Sequence, residues 1–531
     1  MGYLTCRIKS YIQPFERRLA LAELATLTGV EPEPIPVVDG EPAEYRVAAK
    51  VPAEVLVEKL AYWESIDGRY TRQVLREATA NAARNSIPVE QVPYVVRAGL
   101  TSLIPNRRCL RYGTHGIHEY RGKFFPQLVK ALANIAGVPE GGLIADPMCG
   151  SGTTLVEATL MGCHGIGLDM NPLSVFMAHT KCALLSVRSE DLLKAYQEVR
   201  RQLLSGGTTA AGPESYFRSL PAADQNYLQS WFPEQTLWDL DRIMGAIELI
   251  PDGAAKALMR LSLSNILRRV SWQKESDLRV RREVKIDADI DPIQEFLWEV
   301  GKTVRTVLAF LYQNQGRPLG TFDVRVGDAR AITDEWTGYI GRTDAVITSP
   351  PYATALPYLD TDRLSLCYLG LLPRPEHRCR ARLMIGNREI TERERRRYWQ
   401  IFQESKNSLP DTVTRLIERI DELNSLTEVG FRRRNLPALL AKYFLDMRTV
   451  LTGIAKLLKP GAPAFLVVGD NHTIAGGQRI AIETARLLAD IAESIGLMCE
   501  ERIPMDMLVS RDIFKKNAVE AETILVLRRP L

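Results

Sequence analysis

The chain is poor in the residue patterns that build metal centres and disulfide frameworks. Its eight cysteines lie at 6, 109, 149, 163, 182, 367, 379 and 499, and none forms a CxxC pair. Six histidines are equally dispersed, apart from His115 and His118. Neither a metal site nor a disulfide-stapled fold is therefore expected in a chain of 531 residues. No stretch approaches about 18 uninterrupted apolar residues, and Met1-Gly2-Tyr3-Leu4-Thr5-Cys6 lacks the apolar core of a signal peptide. No membrane partner is expected, and residence in the cytoplasm is. Internal repeats and low-complexity tracts are also missing. The net charge of +4 is too small to imply a polyanionic partner by itself.

What remains has the composition of an ordinary globular protein, 46% apolar and 25% charged. The length exceeds what one core usually supports, so two or three domains are expected. Residues 1–105 read as an accessory α/β module. Leu19 to Leu27 and Val55 to Trp63 have helical character, Glu44 to Val51 alternates like a strand, and the proline-rich Glu31 to Pro42 is a loop. Residues 186–319 look mainly helical, with Trp231, Phe232, Leu237, Leu240, Ile243 and Ile247 at helical spacing; that stripe reads as core.

Around this insertion, in 106–185 and 320–531, strands alternate with helices. Strands are expected at Gly142 to Ala145, Gly165 to Leu168, Phe322 to Val326, Asp344 to Ile347, Ala464 to Val468, Cys499 to Ile503 and Thr523 to Leu527. Helices are expected at Phe125 to Ala136, Thr154 to Met161, Leu440 to Leu458 and Ile480 to Ile495. This alternation predicts an α/β fold: a doubly wound, mostly parallel sheet covered by helices on both faces. The last two strands leave no room for a crossover helix, so the final strand should run antiparallel.

Two short stretches about 200 residues apart carry the chemistry. Ala145-Asp146-Pro147-Met148-Cys149-Gly150-Ser151-Gly152-Thr153-Thr154 follows an apolar strand. In open α/β sheets ligands bind beyond the carboxyl ends of the strands, and Gly150 and Gly152 let the chain turn tightly against one. A phosphate loop would require lysine after the last glycine, which is missing here. Asp146 would repel pyrophosphate but suits the cationic, amine-bearing end of S-adenosylmethionine. Asp169, ending the next strand, can accept both hydroxyls of a ribose, and Asp328 after the third can accept from an adenine amino group.

The second stretch is Thr348-Ser349-Pro350-Pro351-Tyr352. An aromatic amine is a poor nucleophile because its lone pair is delocalised into the ring. Acceptors aimed at its two hydrogens favour a pyramidal nitrogen able to attack in line. Ser349 Oγ and the Pro350 carbonyl can supply them, held by the fixed φ of two prolines, while Tyr352 offers a flat face to a base.

Together these segments resemble the S-adenosylmethionine-dependent DNA amino-methyltransferases, over roughly residues 112–182 and 320–531. The glycine turn resembles their motif I, Asp169-Met170-Asn171-Pro172 their motif II, Gly327-Asp328 their motif III, and Lys123-Phe124-Phe125-Pro126 the preceding motif. The resemblance implies a Rossmann-like methyltransferase sheet and S-adenosylmethionine as cofactor. It implies cofactor contacts from Phe125, Pro126, Asp146, Pro147, Gly150, Gly152, Thr153, Thr154, Asp169, Asn171, Asp328 and Thr348. Ser349, Pro350, Pro351 and Tyr352 would be the catalytic ledge, and serine in first place is typical of the cytosine-N4 type. Carbon-5 methylation is excluded, since it needs a Pro-Cys nucleophile that the chain lacks.

The substrate implied is double-stranded DNA with the target base flipped out, within a restriction-modification or defence system or standing alone. Arg374 to Arg397 carries nine arginines against four glutamates, and Arg268 to Lys285 seven basic residues against three acidic ones. Their Arg268, Arg269, Lys274, Arg279, Arg378, Arg380, Arg382 and Arg388 are the candidate nucleic-acid contacts. Residues 186–319 and 370–437 would then be target-recognition elements. The first falls before the third strand, a departure from the usual order of the family. An RNA methyltransferase of the tRNA guanosine-N2 class and a DNA adenine-N6 enzyme remain as alternatives. His115, His118 and Tyr120 stand just ahead of the turn, as crevice lining or packing.

Overall fold

The computed structural model describes residues 2–37, 40–48, 50–120, 122, 125–205, 215–274, 281–284, 290–353, 358–426, 428–506 and 521–531. Its first sheet is built from β1 (Leu4–Ile8), β2 (Glu33–Pro34), β3 (Glu44–Val47), β4 (Trp63–Ile66) and β5 (Arg69–Tyr70), in the order β2-β3-β1-β4-β5. The second contains β6 (Leu143–Asp146), β7 (His164–Asp169), β8 (Phe322–Val326), β9 (Ala345–Thr348), β10 (Pro463–Gly469), then, past a two-stranded hairpin of β11 (Asn471–Ala475) and β12 (Gln478–Ile482), β13 (Met498–Asp506) and β14 (Ala521–Arg528). Its order is β13-β14-β10-β9-β6-β7-β8, and β14 alone runs against its neighbours. This is the doubly wound, Rossmann-like sheet that the alternation predicts.

The strand sequences explain their place. Every residue of β6, β9 and β10 is buried, as expected for parallel strands covered on both faces. Neighbouring side chains diverge to different cores. Leu143, Ala145, Val346, Leu466 and Val468 pack with the helices Asp411–Ser425, Phe431–Leu457 and Thr484–Ser494. Ile144, Ala345, Ile347, Phe465 and Val467 pack with the helices Pro14–Thr28 and Pro126–Ile135, and with Cys6, Ile8, Tyr45 and Trp63 of the first sheet. Buried polar ties cross the same boundary: Asn134 Nδ2 donates to Glu23 Oε2 at 2.9 Å, and Lys130 Nζ to the Leu60 carbonyl at 3.3 Å.

Residues between β7 and β8 are mainly helical, as the pattern predicts. Trp231, Phe232, Leu237, Leu240, Ile243 and Ile247 all lie in one apolar core there. Three expectations fail locally. The expected helix over 480–495 begins only at Thr484, because Gly476 and Gly477, at φ of 54° and 80°, turn the hairpin that contains Ile480. The helix expected to reach Trp63 stops at Lys59; Trp63 opens β4, buried, with Nε1 donating to the Ala20 carbonyl at 3.0 Å. The strand from Glu44 ends at Val47. Among the described residues no helix is long and apolar enough to cross a membrane.

The chain leaves β6 for β7 and β8 on one side, then returns to β9 on the other. That reversal opens a crevice at the carboxyl ends of β6 and β9, where open α/β sheets bind ligands.

Candidate active site

A cleft of about 1100 Å³, counted out to solvent, occupies this crevice. Pro147, Met148, Cys149, Gly150, Ser151 and Thr153 line it from the turn after β6, Asp169 and Asn171 from the end of β7, and Asp328 from the end of β8. Ser349, Pro350, Pro351 and Tyr352 line it from the end of β9. The two stretches thus share one cavity.

The glycine turn is held by backbone contacts that leave little latitude. Cys149 N donates to the Leu168 carbonyl at 2.9 Å, and Gly152 N to the Cys149 carbonyl at 2.8 Å. Gly150 N donates to Asp169 Oδ2 at 2.9 Å, and Asn171 N to Asp169 Oδ1 at 2.8 Å. Asp169 therefore fastens the turn as well as facing the cleft. Gly152 adopts φ of 82°, and a Cβ there would stand 2.6 Å from Ala178 Cβ. A Cβ on Gly150 would stand 2.7 Å from the Tyr120 hydroxyl, because Tyr120 lies across the turn and lines the cleft.

Six expected cofactor residues stand behind the cleft lining: Phe125, Pro126, Asp146, Gly152, Thr154 and Thr348. Asp146 is fully buried and accepts from Met148 N at 3.2 Å. Thr154 Oγ1 donates to the Ile347 carbonyl at 3.1 Å, tying the cofactor turn to the strand that carries the ledge. The Arg108 guanidinium covers the Phe125 ring at 4.5 Å. Lys123 and Phe124 lie outside the described residues. His115 and His118 are buried off the cleft, at 2.8 Å from Glu157 Oε1 and 3.0 Å from Ser264 Oγ.

Charge in the cleft has one sign. Asp169, Asp328 and Glu522 line it, and no lysine, arginine or histidine does so among the described residues. Burial, with Asp362 adding to it, pushes the Asp169 carboxyl up to about 6 against the two backbone donors. Burial likewise lifts Asp146 to about 6. At Asp328 burial is outweighed by the Arg330 side chain, which holds that carboxyl below its usual range. Such a site favours a cation over a phosphate.

Comparison with known proteins agrees with this chemistry. Residues 118–207 match the RMKL-like methyltransferase domain of the UPF0020 family. The type II methyltransferase M.BsoBI of Geobacillus stearothermophilus is 24% identical over 437 residues, 74% of this chain and 81% of that protein. M.AvaI of Nostoc sp. is 25% identical over 378 residues, 67% of this chain and 73% of that one. The chain carries an S-adenosylmethionine-dependent methyltransferase domain. A shorter match, 42% over 52 residues, links it to the tRNA (guanine(10)-N2)-dimethyltransferase of Methanothermobacter thermautotrophicus, covering 10% of this chain and 16% of that one.

In this methyltransferase the cleft has walls that no motif announced. Glu522, from β14, accepts from the Tyr352 hydroxyl and fixes the edge of that ring. Met384 and Ile385 come from the arginine-rich segment. Of the two basic segments, only that one borders the cleft among the described residues. There Arg378, Arg380 and Arg382 ride on the helix His377–Leu383, Arg382 being paired with Glu394 at 2.9 Å, and Arg388 follows in the next loop. In the other segment Arg268 Nη2 donates to the Lys274 carbonyl at 3.3 Å, Arg269 pairs with Glu295 and Glu299, each at 3.2 Å, and Lys274 pairs with Glu283 at 3.3 Å. Arg279 lies outside the described residues.

The raised carboxyls give a pH expectation. Between about 4 and 6 the native state holds protons on Asp146 and Asp169 that the unfolded chain has lost, so their contribution to stability falls as pH rises through that window. Ribose hydroxyls donate to an ionised carboxylate, so cofactor binding should strengthen over the same range. S-adenosylhomocysteine is expected to bind roughly tenfold more weakly at pH 5 than at pH 7. Titration calorimetry across that range checks this, and a flat profile would count against Asp169 as the ribose acceptor.

Proposed function

We propose that the methyltransferase transfers a methyl group from S-adenosylmethionine to the exocyclic N4 amine of cytosine in double-stranded DNA, with the target base flipped into the cleft. The observation that carries this reading is the state of Ser349. Its Oγ donates to the Val467 carbonyl at 3.1 Å, which engages the hydroxyl proton and leaves the oxygen lone pairs as acceptors. Ser349 and Pro350 would accept from the two hydrogens of the amine, and Tyr352 would stack on the ring. Pro147, Gly150, Thr153, Asp169, Asn171 and Asp328 would hold the cofactor, with Asp146, Gly152, Thr154, Thr348, Phe125 and Pro126 supporting them.

When bound, S-adenosylmethionine supplies an electrophilic methyl on sulfur. Ser349 Oγ and the Pro350 carbonyl would hold the amine with its lone pair turned toward that methyl, and the surplus amine proton would leave to water. The ledge residues need only orient the amine, so no base with a tuned pKa is required. The arginines at 378, 380, 382 and 388 would grip phosphate beside the flipped base, with Arg268, Arg269, Lys274 and Arg279 as a second contact. Residues 186–319 and 370–437 would read the site, with 1–105 as an accessory unit. The type II relatives support DNA as substrate, and a restriction or defence partner would accompany it. An RNA reading draws on the short matches to tRNA (guanine(10)-N2)-dimethyltransferases.

The test incubates the protein with methyl-tritiated S-adenosylmethionine and either DNA or tRNA, then identifies the labelled nucleoside. N4-methylcytosine in DNA is expected. Label confined to tRNA would remove the DNA assignment, and N6-methyladenine would remove the choice of base.

A further inference from the structure

Arg330 follows Asp328 by two residues and bends back onto it. Nε lies 3.0 Å from Asp328 Oδ1 and 3.1 Å from Oδ2, and Nη2 lies 2.6 Å from Oδ2. The same guanidinium reaches two other parts of the fold. Nη1 donates to Asp446 Oδ1 at 3.1 Å, on the helix Phe431–Leu457, and Nη2 donates to the Leu383 carbonyl at 2.9 Å. Leu383 ends the helix His377–Leu383, and the next two residues, Met384 and Ile385, line the cleft. Asp446 is held in turn by Lys442, one helical turn before it.

One planar group thus joins a cofactor-facing carboxylate, the long helix Phe431–Leu457, and the backbone beside the arginine-rich wall. A guanidinium can do this because its donors leave in fixed, divergent directions within a plane. An ammonium can neutralise Asp328 but cannot span all three acceptors together. The bond to the wall is made to a carbonyl, so side-chain changes at Leu383 leave it in place, and a change at Arg330 breaks it.

We propose that Arg330 is a positioning residue that holds the Met384–Ile385 wall of the target pocket in register with the cofactor-binding carboxylate Asp328. It touches neither the methyl donor nor the amine; it acts through Asp328 and through the backbone at Leu383. This rests on the reading of the cleft as a joint cofactor and base site. Cofactor occupancy and wall order are then linked, because a ligand held by Asp328 acts through the Arg330 guanidinium on the Leu383 carbonyl.

Arg330→Ala strips the counter-ion from two partly buried carboxylates, so Arg330→Lys is the variant to use, in the full chain. Two readouts are compared with wild type: amide exchange over residues 378–391 with and without S-adenosylhomocysteine, and methyl-transfer kinetics on DNA. In wild type the ligand is expected to slow exchange at Met384 and Ile385 by about tenfold. Arg330→Lys is expected to bind S-adenosylhomocysteine within about threefold of wild type, to lose most of that protection, and to raise KM for DNA by about tenfold with a smaller change in kcat. Wild-type protection and KM in Arg330→Lys would overturn the proposal. So would a wild-type wall that the ligand does not protect, or a loss confined to ligand affinity. Protection without any transfer to DNA would remove the DNA assignment and leave the role of Arg330 standing, since exchange requires no nucleic acid.

Discussion

Ser349→Ala is expected to slow methyl transfer by roughly 10²-fold or more while S-adenosylhomocysteine binds as tightly as before. On the proposed reading the substitution removes one of two acceptors aimed at the amine and leaves the backbone ledge of Pro350 and Pro351 in place. The amine then keeps more of its planar character, and the lone pair stays in the ring. Single-turnover transfer under saturating cofactor isolates this step from binding. Tyr352→Ala should also cut turnover with little effect on the cofactor, through loss of the stacking face. Tyr352→Phe keeps the ring and loses the bond to Glu522, so a milder loss is expected. Loss of cofactor binding in both Ser349→Ala and Tyr352→Ala would mean that the ledge belongs to the cofactor half of the cleft.

The second large effect is expected at Gly152. In Gly152→Ala the new methyl would meet Ala178 Cβ at 2.6 Å and Ala178 Cα at 2.8 Å, on a helix backbone that cannot move aside. The φ of 82° is itself costly for any residue with a side chain. Left-handed backbone and overpacking together predict a destabilisation of about 3 kcal/mol, concentrated in the turn. The expected result is a lower unfolding temperature and no further rise on adding S-adenosylhomocysteine. Gly338→Ala is the control, because its new methyl would have no atom within 4 Å and its φ is not positive. Equal behaviour of the two variants would refute the packing argument.

Much of this architecture could be read from the chain, for a physical reason. Parallel strands buried on both faces are written as continuous apolar runs, and the turn and ledge each follow such a run directly. The topological reversal between β6 and β9 then brings residues about 200 positions apart into one cavity. Local spacing could not reveal the other walls. Glu522 reaches the cleft because β14 pairs beside β10, with Glu522 opposite Gly469, and nothing around residue 522 encodes that partner. Met384 and Ile385 sit in a run whose arginines suggest a solvated surface. Arg330 has an obvious neighbour in Asp328, but Asp446 and the Leu383 carbonyl arrive only with the tertiary fold. The misread hairpin had its signal in Gly476-Gly477, overridden by apolar residues spaced as a helix would space them.

The position of β14 bears on how the protein is made. Strand β10 is apolar throughout and needs a partner on its outer edge, yet that partner is residues 521–528, and β13 waits on the same segment. A nascent chain on the ribosome therefore carries an unpaired, sticky strand edge until those residues have been synthesised, the kind of edge on which chains aggregate. The wall at Glu522 forms at the same moment, so a chain stopped before β14 has both an open strand edge and an unfinished pocket.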